Sequence, residues 1–267
     1  MFQSRAALLG QYFPADSYWH RLDARAKIFM VFLVLILSLL TVSFVFYLVI
    51  LAALMIALFS ARVSPGALFR NFQPLLVIVL ITFVYHLVFS GRGTETLYSF
   101  FGFEITRGAL SRACFFSLRL IIFITMAYLV TLTSSPSELA EAFISILKPL
   151  KRIGVPVNDL GLVLFIAIRF IPILYEEFNA IKNAQIIRGV NFAGSVFNRI
   201  KKTGYILIPV FVAAISRADD LAMAIEARGY DSNRERTFYT RMSFGGREWF
   251  FLLSGTILVF ILFYKTR

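Results

Sequence analysis

The stretch from Ile28 to Phe59, IFMVFLVLILSLLTVSFVFYLVILAALMIALF, is 32 residues long and contains no charged residue. As one helix it would be about 48 Å long, whereas roughly 20 residues are enough to cross a hydrocarbon core about 30 Å thick. Two helices joined at the polar residues Thr41 and Ser43 fit a bilayer better than one. The stretch therefore predicts two membrane spans, at about 28–42 and 44–60, with a tight turn between them.

The composition of the whole chain also indicates a lipid environment. Of the 267 residues, 59% are hydrophobic and 30 are Phe, and the mean hydropathy is +0.78. A water-soluble domain of this size has a much lower apolar content. The net charge of +12 comes from Lys and Arg residues between the apolar runs, which is typical of cytoplasmic loops and not of a nucleic-acid-binding domain. We expect the lipid bilayer as a partner and no nucleic acid.

Three further apolar runs predict spans at about 74–89, 109–132 and 247–267. The loop between the first two of these has balanced charge, whereas basic residues flank the pair of spans at 28–60. Because positive loops stay inside, this asymmetry predicts a multi-pass protein with a cytoplasmic amino terminus. The predicted organisation is an N-terminal transmembrane region over 1–132, a cytoplasmic region over 133–246 and a C-terminal transmembrane helix over 247–267.

Residues 133–246 contain 14 Lys or Arg and 10 Asp or Glu, yet they keep the apolar periodicity of helices. Capping residues, prolines and glycines set the expected helix boundaries. The predicted helices run from Ser137, as the N-cap, to about Pro149, from a cap at Asn158 or Asp159 to Arg188, and from Phe197 to Arg228. The predicted fold class is an all-α integral membrane protein with about five transmembrane helices and three long cytoplasmic helices.

Two of these helices end in the same pattern, an arginine followed by a glycine. Arg188 precedes Gly189, and Arg228 precedes Gly229. Helix termination alone explains each pattern, because arginine complements the partial charge of the helix end and glycine accepts a left-handed conformation. Two such ends in one cytoplasmic region favour a further role, since a guanidinium pairs bidentately with a carboxylate. We interpret them as docking points for carboxylates of a partner.

Two other arginines are candidates for a specific role. Arg119 lies inside a predicted span, on the same helix face as Arg112, and either binds a partner or braces the helix bundle. The alternative is that Arg119 lies in the cytoplasmic third of its span and snorkels or pairs internally. Arg169 is expected to pair with Glu176 or with another helix, next to a kink at Pro172.

The third cytoplasmic helix is rich in alanine. The small residues are Ala213, Ala214, Ala218, Ala222, Ala224 and Ala227. Small side chains allow close helix crossing, although alanine is also simply a good helix former. The pattern predicts that the long cytoplasmic helices pack into a rigid unit.

The sequence offers little catalytic apparatus. It has no Gly-rich phosphate loop, and Cys114, His20 and His86 are too far apart in sequence to indicate a metal site. We expect no catalytic residue, metal or cofactor in this chain. A stand-alone secondary transporter would be expected to show internal repeats, which are not visible. An intramembrane enzyme acting on lipid would depend on the acidic pair Asp219-Asp220, which a solvated or partner-facing patch explains better.

Three segments are similar to the motifs of one family of membrane proteins. The first, His20 to Lys27, reads HRLDARAK and is similar to the motif His-x-Leu-Asp-Pro-Arg-x-Lys, with Ala24 in the proline position. The second lies in a central helix and consists of Arg169 to Pro172, Glu176 or Glu177, and Ala184-Gln185. The third is a pair of Ala-Arg-Gly motifs, matched fully by Ala227-Arg228-Gly229 and, with isoleucine in place of alanine, by Ile187-Arg188-Gly189.

On these motifs the chain resembles the transmembrane T component of energy-coupling factor transporters, which are ATP-binding-cassette importers of vitamins and transition-metal ions. The resemblance implies that Arg188 and Arg228 each insert into one of two cytoplasmic ATPase subunits, which bind the ATP and Mg. It also implies that the long helices pass ATPase closure to a separate substrate-binding S component in the cytoplasmic membrane of a prokaryote. The residues implied to support the coupling helix are Arg169, Pro172, Glu176, Ala184 and Gln185.

The resemblance also implies that the imported substrate is not encoded in this chain, because the S component binds it. The segment from Gly10 to Pro14, GQYFP, is similar to the vitamin-type group of the family.

Overall fold

The computed structural model describes residues 16–61, 65–89, 96–100, 103–192, 196–231 and 244–266. Helices dominate this part of the chain, which confirms the predicted all-α class. The elements in chain order are α1 (Tyr18–Arg21), α2 (Ala24–Leu40), α3 (Phe44–Ser60), α4 (Pro65–Phe89), β1 (Thr96–Phe100), β2 (Phe103–Thr106), α5 (Arg107–Thr133), α6 (Pro136–Leu147), a 3₁₀ helix (Lys148–Ile153), α7 (Val157–Ile187), α8 (Val196–Ala227) and α9 (Gly246–Thr266).

The exception to the helical pattern is the antiparallel hairpin of β1 and β2. It lies in the charge-balanced loop before α5, where the sequence analysis predicted no strand. Thr106 ends β2 and also caps α5, because its side chain accepts a hydrogen bond from the amide of Ala109 at 3.1 Å. The hairpin thus leads directly into the first turn of α5.

The uncharged stretch from Ile28 to Phe59 forms two helices, as predicted. α2 ends at Leu40 and α3 begins at Phe44, so the turn consists of residues 41–43. The hydroxyl of Tyr47 lies 2.8 Å from the carbonyl oxygen of Ser38 and 2.9 Å from that of Thr41. Tyr47 is fully buried and satisfies carbonyl groups that the end of α2 would otherwise leave unpaired.

Two compact units make up the chain. One consists of Met1–Ala142 with Met242–Arg267, and the other of Phe143–Arg241. We call the first the membrane unit and the second the α7–α8 unit. In the membrane unit, side chains of α2, α3, α5 and α9 form one buried apolar cluster: Val34, Leu37, Phe46, Tyr47, Ile50, Leu54, Ile122, Met126 and Val259.

In the α7–α8 unit, α7 and α8 pack against each other in antiparallel directions. Asp159 at the start of α7 bonds Tyr230, which follows α8. Further along, Glu177 of α7 pairs with Arg217 of α8. Lys202, near the start of α8, donates a 2.5 Å hydrogen bond to the carbonyl oxygen of Asn191, which follows α7. Residues late in α7 therefore lie beside residues early in α8.

Several boundaries differ from the predictions. The cap of α6 is Ser135 and not Ser137: its Oγ accepts from the amide of Glu138, and Glu138 Oε2 accepts from the amide of Ser135, both at 3.2 Å. This reciprocal pair is a capping box, with Pro136 in the first helical position, where its missing amide costs nothing. α6 has 12 residues and is not long, because Pro149 stops it and the chain tightens into the 3₁₀ helix.

The start of α7 also differs. The helix begins at Val157, and Pro156 in the capping position has no side-chain hydrogen bond to the helix. The predicted caps Asn158 and Asp159 therefore lie inside its first turn. α4 begins at Pro65, earlier than the predicted span at residue 74, with Pro74 inside the helix.

Among the described residues, three helices are long and apolar enough to cross a membrane: Arg107–Thr133, Val157–Ile187 and Gly246–Lys265. Phe44–Ser60 and Gln73–Phe89 are shorter apolar helices. α7 is one of the three, although the sequence analysis placed it in the cytoplasm. Its length and composition are compatible with either location, so the division into membrane and cytoplasmic regions stays a prediction.

Candidate functional site

The ends of α7 and α8 have the same backbone geometry. Gly189 has φ 89° and Gly229 has φ 71°, so both adopt the left-handed conformation that was predicted for a helix stop. At the first end, the amide of Gly189 donates to the Ile186 carbonyl at 3.0 Å and the amide of Val190 donates to the Gln185 carbonyl at 3.0 Å. These two bonds define a Schellman motif.

The second end repeats this pattern. The amide of Gly229 donates to the Glu226 carbonyl at 2.8 Å, and the amide of Tyr230 donates to the Ile225 carbonyl at 3.3 Å. In both motifs the arginine occupies the capping position directly after the last helical residue. The chain thus builds two equivalent platforms, each of which presents one arginine.

Both arginines are exposed and available. Within the described ranges, neither Arg188 nor Arg228 forms a hydrogen bond or salt bridge with a carboxylate. Ala227 and both glycines are exposed as well. An exposed guanidinium on a rigid helix end offers a forked set of donors to an incoming carboxylate. The docking role of Arg188, Gly189, Ala227, Arg228 and Gly229 stays a prediction.

The two platforms lie at opposite ends of the α7–α8 pair. α7 contains 31 residues and ends beside Arg188, whereas Tyr230, two residues after Arg228, contacts the first turn of α7. At 1.5 Å per residue, the two arginines are roughly 40 Å apart along this pair. One bound carboxylate group cannot contact both, so the platforms are two separate sites.

The second platform is held by a hydrogen bond that has no equivalent at the first platform. The hydroxyl of Tyr230 donates to Asp159 Oδ1 at 2.5 Å, and both residues are partly buried. Val190 occupies the corresponding position after Gly189 and has no hydroxyl group. Tyr230 and Asp159 were missed as a pair because the sequence analysis assigned Asp159 to helix capping. The signal available in the sequence was the tyrosine directly after the Arg-Gly motif.

The residues expected to support α7 have a different arrangement from the one predicted. Arg169 and Glu176 form no ion pair with each other, because seven residues place them two helical turns apart. Instead Glu177, the neighbouring acid, pairs with Arg217 of α8. Gln185 is partly buried and accepts the Schellman bond through its carbonyl, whereas Arg169, Pro172, Glu176 and Ala184 are exposed.

The alanine-rich part of α8 is not a close helix contact. Ala218, Ala222, Ala224 and Ala227 are exposed, and Ala213 and Ala214 are partly buried. The predicted packing of long helices on each other is present in the α7–α8 pair, but the alanines in the last three turns of α8 do not line the contact. Ion pairing and the hydrogen bond from Tyr230 join the helices there.

The α7–α8 unit exposes a large amount of apolar surface. On α8, Leu207, Ile208, Phe211 and Val212 are each at least 60% exposed. α7 contributes exposed side chains of the same kind: Val163, Ile171, Tyr175, Ile186 and Ile187. Surfaces of this extent mark a contact with a membrane or with another protein. Asp219 and Asp220 are also exposed, as expected for a solvated patch.

The remaining candidate, Arg119, lies in the membrane unit and pairs internally. Its Nη2 donates to the carbonyl oxygen of Ser38 at 2.6 Å and to the hydroxyl of Tyr47 at 2.9 Å. This contact agrees with the predicted internal pairing. Ser38 lies near the end of α2 that adjoins the turn, whereas Lys27 lies at the other end of α2. The expected position of Arg119 in the cytoplasmic third of its span stays a prediction.

The first of the three family motifs, His20 to Lys27 near the amino terminus, joins the beginning of α2 to the end of α5. Asp23 caps α2 by accepting from the amide of Arg25 at 2.8 Å. Lys27 Nζ donates to the Thr133 carbonyl at 2.9 Å and to Ser134 Oγ at 2.8 Å. Before the helix, Arg21 donates two hydrogen bonds of 2.8 Å to Asp16, which raise the pKa of this exposed guanidinium.

These features define a class: an integral membrane protein with a helical unit that presents two equivalent arginine platforms. A family model described as "Cobalt transport protein" matches residues 15–239. The energy-coupling factor transporter transmembrane protein EcfT of Brevibacillus brevis is 36% identical over 255 residues, which cover 95% of this chain and 96% of that protein. The proteins of the same name from Lacticaseibacillus paracasei and Bacillus subtilis are 38% and 36% identical, over 94% and 96% of this chain and 95% and 97% of theirs.

The chain belongs to this family of transmembrane components of energy-coupling factor transporters. It is therefore a membrane-embedded transport protein, as the sequence motifs indicated.

Proposed function

We propose that this chain is the coupling subunit of an importer, and that it transmits ATP-driven motion of two cytoplasmic ATPase subunits to a substrate-binding S component. The observation that carries the proposal is the pair of Schellman platforms at opposite ends of the α7–α8 pair. Each presents one exposed arginine that has no carboxylate partner among the described residues. In this proposal ATP and Mg are bound by the ATPases, and this chain contributes no catalytic residue.

The separation of the platforms supports two ATPase partners and not one. Sites roughly 40 Å apart on antiparallel helices each contact a different surface. The connection between them is stiff, because α7 and α8 are continuous helices joined by the Glu177–Arg217 ion pair and by the Tyr230–Asp159 bond. Movement of either platform is thus transmitted along the whole pair, which is the mechanical requirement for coupling.

The exposed apolar surface of α7 and α8 supports a third contact. An uncovered surface of this kind is unfavourable in water, so an apolar partner or the membrane interface covers it. We assign this surface to the S component. The transported substrate, a vitamin or a transition-metal ion, then depends on which S component is bound. The complex is placed in the cytoplasmic membrane of a prokaryote, with the amino terminus in the cytoplasm.

The test is co-purification of the tagged chain from native membranes. We expect the wild-type chain to retain two ATP-binding-cassette ATPases and an S component, whereas an Arg188→Glu, Arg228→Glu double variant loses the ATPases. Breaking one desolvated charge pair costs about 2–5 kcal/mol, and the introduced glutamate adds repulsion. Arg152→Glu is the matched control, because Arg152 is exposed in the same unit but lies outside both platforms.

A different outcome identifies the competing function. If the wild-type chain purifies alone and moves solute across vesicle membranes without ATP, it is a secondary transporter and the coupling proposal is wrong.

A further inference from the structure

Among the described residues, no carboxylate forms a hydrogen bond or ion pair with the positively charged Arg119. Both of its hydrogen-bond acceptors, the Ser38 carbonyl and the Tyr47 hydroxyl, are neutral, and its Nε is buried without a hydrogen-bond partner. The guanidinium also lies over the ring of Phe116, 5.3 Å from its centroid. Arginine keeps its charge at any physiological pH, and an uncompensated charge within a membrane span is costly. An anion beside the guanidinium would compensate this charge and could accept a hydrogen bond from Nε.

A cavity of about 330 Å³ adjoins this guanidinium. α2 lines it from Val31 to Leu39 and α5 from Phe116 to Met126, with Thr82 of α4 as a further wall. These segments are about 12–15 Å long, so the cavity is elongated along the helices. Its volume is at the lower end of the range of roughly 300–1,000 Å³ for small-molecule sites.

The cavity is polar at one end and apolar at the other. Arg119 and Ser38 are joined by a hydrogen bond at the end near the α2–α3 turn. Val31 and Met126 lie at the opposite end, and most of the wall between the two ends is apolar. An amphiphile with an anionic head and a hydrocarbon chain matches this gradient of polarity.

The cavity opens on a surface that contacts hydrocarbon. Leu39, Phe116 and Phe123 form part of its wall and are 57%, 40% and 45% exposed. α5, which carries Phe116 and Phe123, is long and apolar enough to cross a membrane, and α2, which carries Leu39, is a predicted span, so we expect lipid chains around these residues. An α-helix is about 10 Å across with its side chains, which is too wide for a cavity this small and this long. The occupant that fits is a single acyl chain.

The depth of Arg119 suits a lipid phosphate. Lys27 bonds the carbonyl of Thr133, so this end of α5 is level with the start of α2. Arg119 is 14 residues before Thr133, or roughly 21 Å along the helix, in a hydrocarbon core about 30 Å thick. The guanidinium is held at the Ser38 carbonyl, two residues before the end of α2, so it is level with the end of α2 that adjoins the turn at 41–43. Because that turn is the predicted end of the span, the phosphates of the leaflet on that side are expected nearby.

We propose that the membrane unit binds one anionic phospholipid, with its phosphate on Arg119 and one acyl chain in the cavity between α2 and α5. This inference does not depend on the proposed coupling function, because the site lies entirely within the membrane unit.

Retention of lipid by the full-length chain tests the proposal. The chain is reconstituted in nanodiscs of equimolar phosphatidylglycerol and phosphatidylcholine, and lipids that stay bound are identified by native mass spectrometry. We expect one phosphatidylglycerol to be retained in preference to phosphatidylcholine. Arg119→Gln should reduce its retention roughly tenfold, the effect of one lost charge-assisted hydrogen bond.

Two further variants separate the site from general lipid binding. Arg112→Gln removes an exposed charge on the same helix face but outside the cavity, and it should retain the phospholipid. Leu35→Trp fills the cavity while leaving Arg119 in place, and it should lose the phospholipid. Equal retention of both lipids by the wild-type chain, or undiminished phosphatidylglycerol on Arg119→Gln, overturns the proposal.

A photocrosslink in native membranes identifies the occupant without disturbing Arg119. Benzoylphenylalanine at the exposed position Leu39 should yield an adduct with the mass of a phospholipid. An adduct with another polypeptide in place of the lipid would show that a partner protein occupies the cavity, and the lipid assignment would be wrong. Neither result alters the co-purification of ATPases that tests the coupling function.

Discussion

Lys27 is a charged side chain with almost no exposure. It is 2% exposed, and its ammonium group donates two hydrogen bonds, to the Thr133 carbonyl and to Ser134 Oγ. The carboxylates of Asp23 and Glu138 contribute opposite charge nearby. These contacts explain the final lysine of the N-terminal motif: it joins the first helix of the membrane unit to the junction between α5 and α6.

Replacing this lysine should destabilise the membrane unit. Lys27→Met keeps the apolar stem but leaves the Thr133 carbonyl and Ser134 hydroxyl buried without their partner, at a cost of about 1–3 kcal/mol. The measurement is the thermal unfolding midpoint of the purified chain in detergent, with Lys265→Met at an exposed lysine as the control. An unchanged midpoint for Lys27→Met would show that water replaces the ammonium group without loss.

At the scale of helices, the glycines after the two arginines should be essential for docking. Gly189 and Gly229 have positive φ, and a Cβ added at either meets nothing within 4 Å. Alanine there costs roughly 1–2 kcal/mol of backbone strain without any clash. Relieving the strain unwinds the helix end and turns the arginine away, so Gly189→Ala and Gly229→Ala should each weaken ATPase binding in a pull-down.

Gly154 supplies a matched control for this experiment. It has φ 86°, its added Cβ also meets nothing within 4 Å, and it ends the 3₁₀ helix away from both arginines. Gly154→Ala should lower stability by a similar amount but leave ATPase binding intact. Equal loss of binding in all three variants would mean that the effect comes from general destabilisation and not from the platforms.

The bond from Tyr230 to Asp159 should affect one platform and not the other. Tyr230→Phe removes a hydrogen bond to a carboxylate, worth about 1.5–3 kcal/mol, which corresponds to roughly a ten- to 150-fold change in an equilibrium. We expect weaker crosslinking of an ATPase to a benzoylphenylalanine placed at Glu226, beside Arg228. Crosslinking to a benzoylphenylalanine placed at Ile187, beside Arg188, should be unchanged. Asp159→Asn keeps an acceptor and should have a smaller effect, and Tyr264→Phe is the control for loss of an exposed hydroxyl. Equal loss at both platforms would contradict this prediction.

The elements that sequence predicted correctly depend on local rules. The turn at 41–43 follows from span length, and the ends at Gly189 and Gly229 follow from glycine's access to positive φ. The errors concern choices among neighbouring residues or contacts between distant ones. Ser135 replaced Ser137 as the cap because of its reciprocal bond with Glu138. The contacts of Tyr230, Glu177 and Arg119 with other helices depend on packing that periodicity does not determine.

At the scale of the whole chain, the two platforms should act independently. They are roughly 40 Å apart, and substitutions separated by more than about 10 Å with no shared partner usually have additive effects. Arg188→Glu should therefore abolish crosslinking of an ATPase to benzoylphenylalanine at Ile187, while crosslinking to benzoylphenylalanine at Glu226 persists. Arg228→Glu should abolish the crosslink at Glu226 and preserve the one at Ile187. Arg152→Glu should preserve both. Loss of both crosslinks from either single substitution would show that the chain holds its ATPases as one cooperative site and not through two separate platforms.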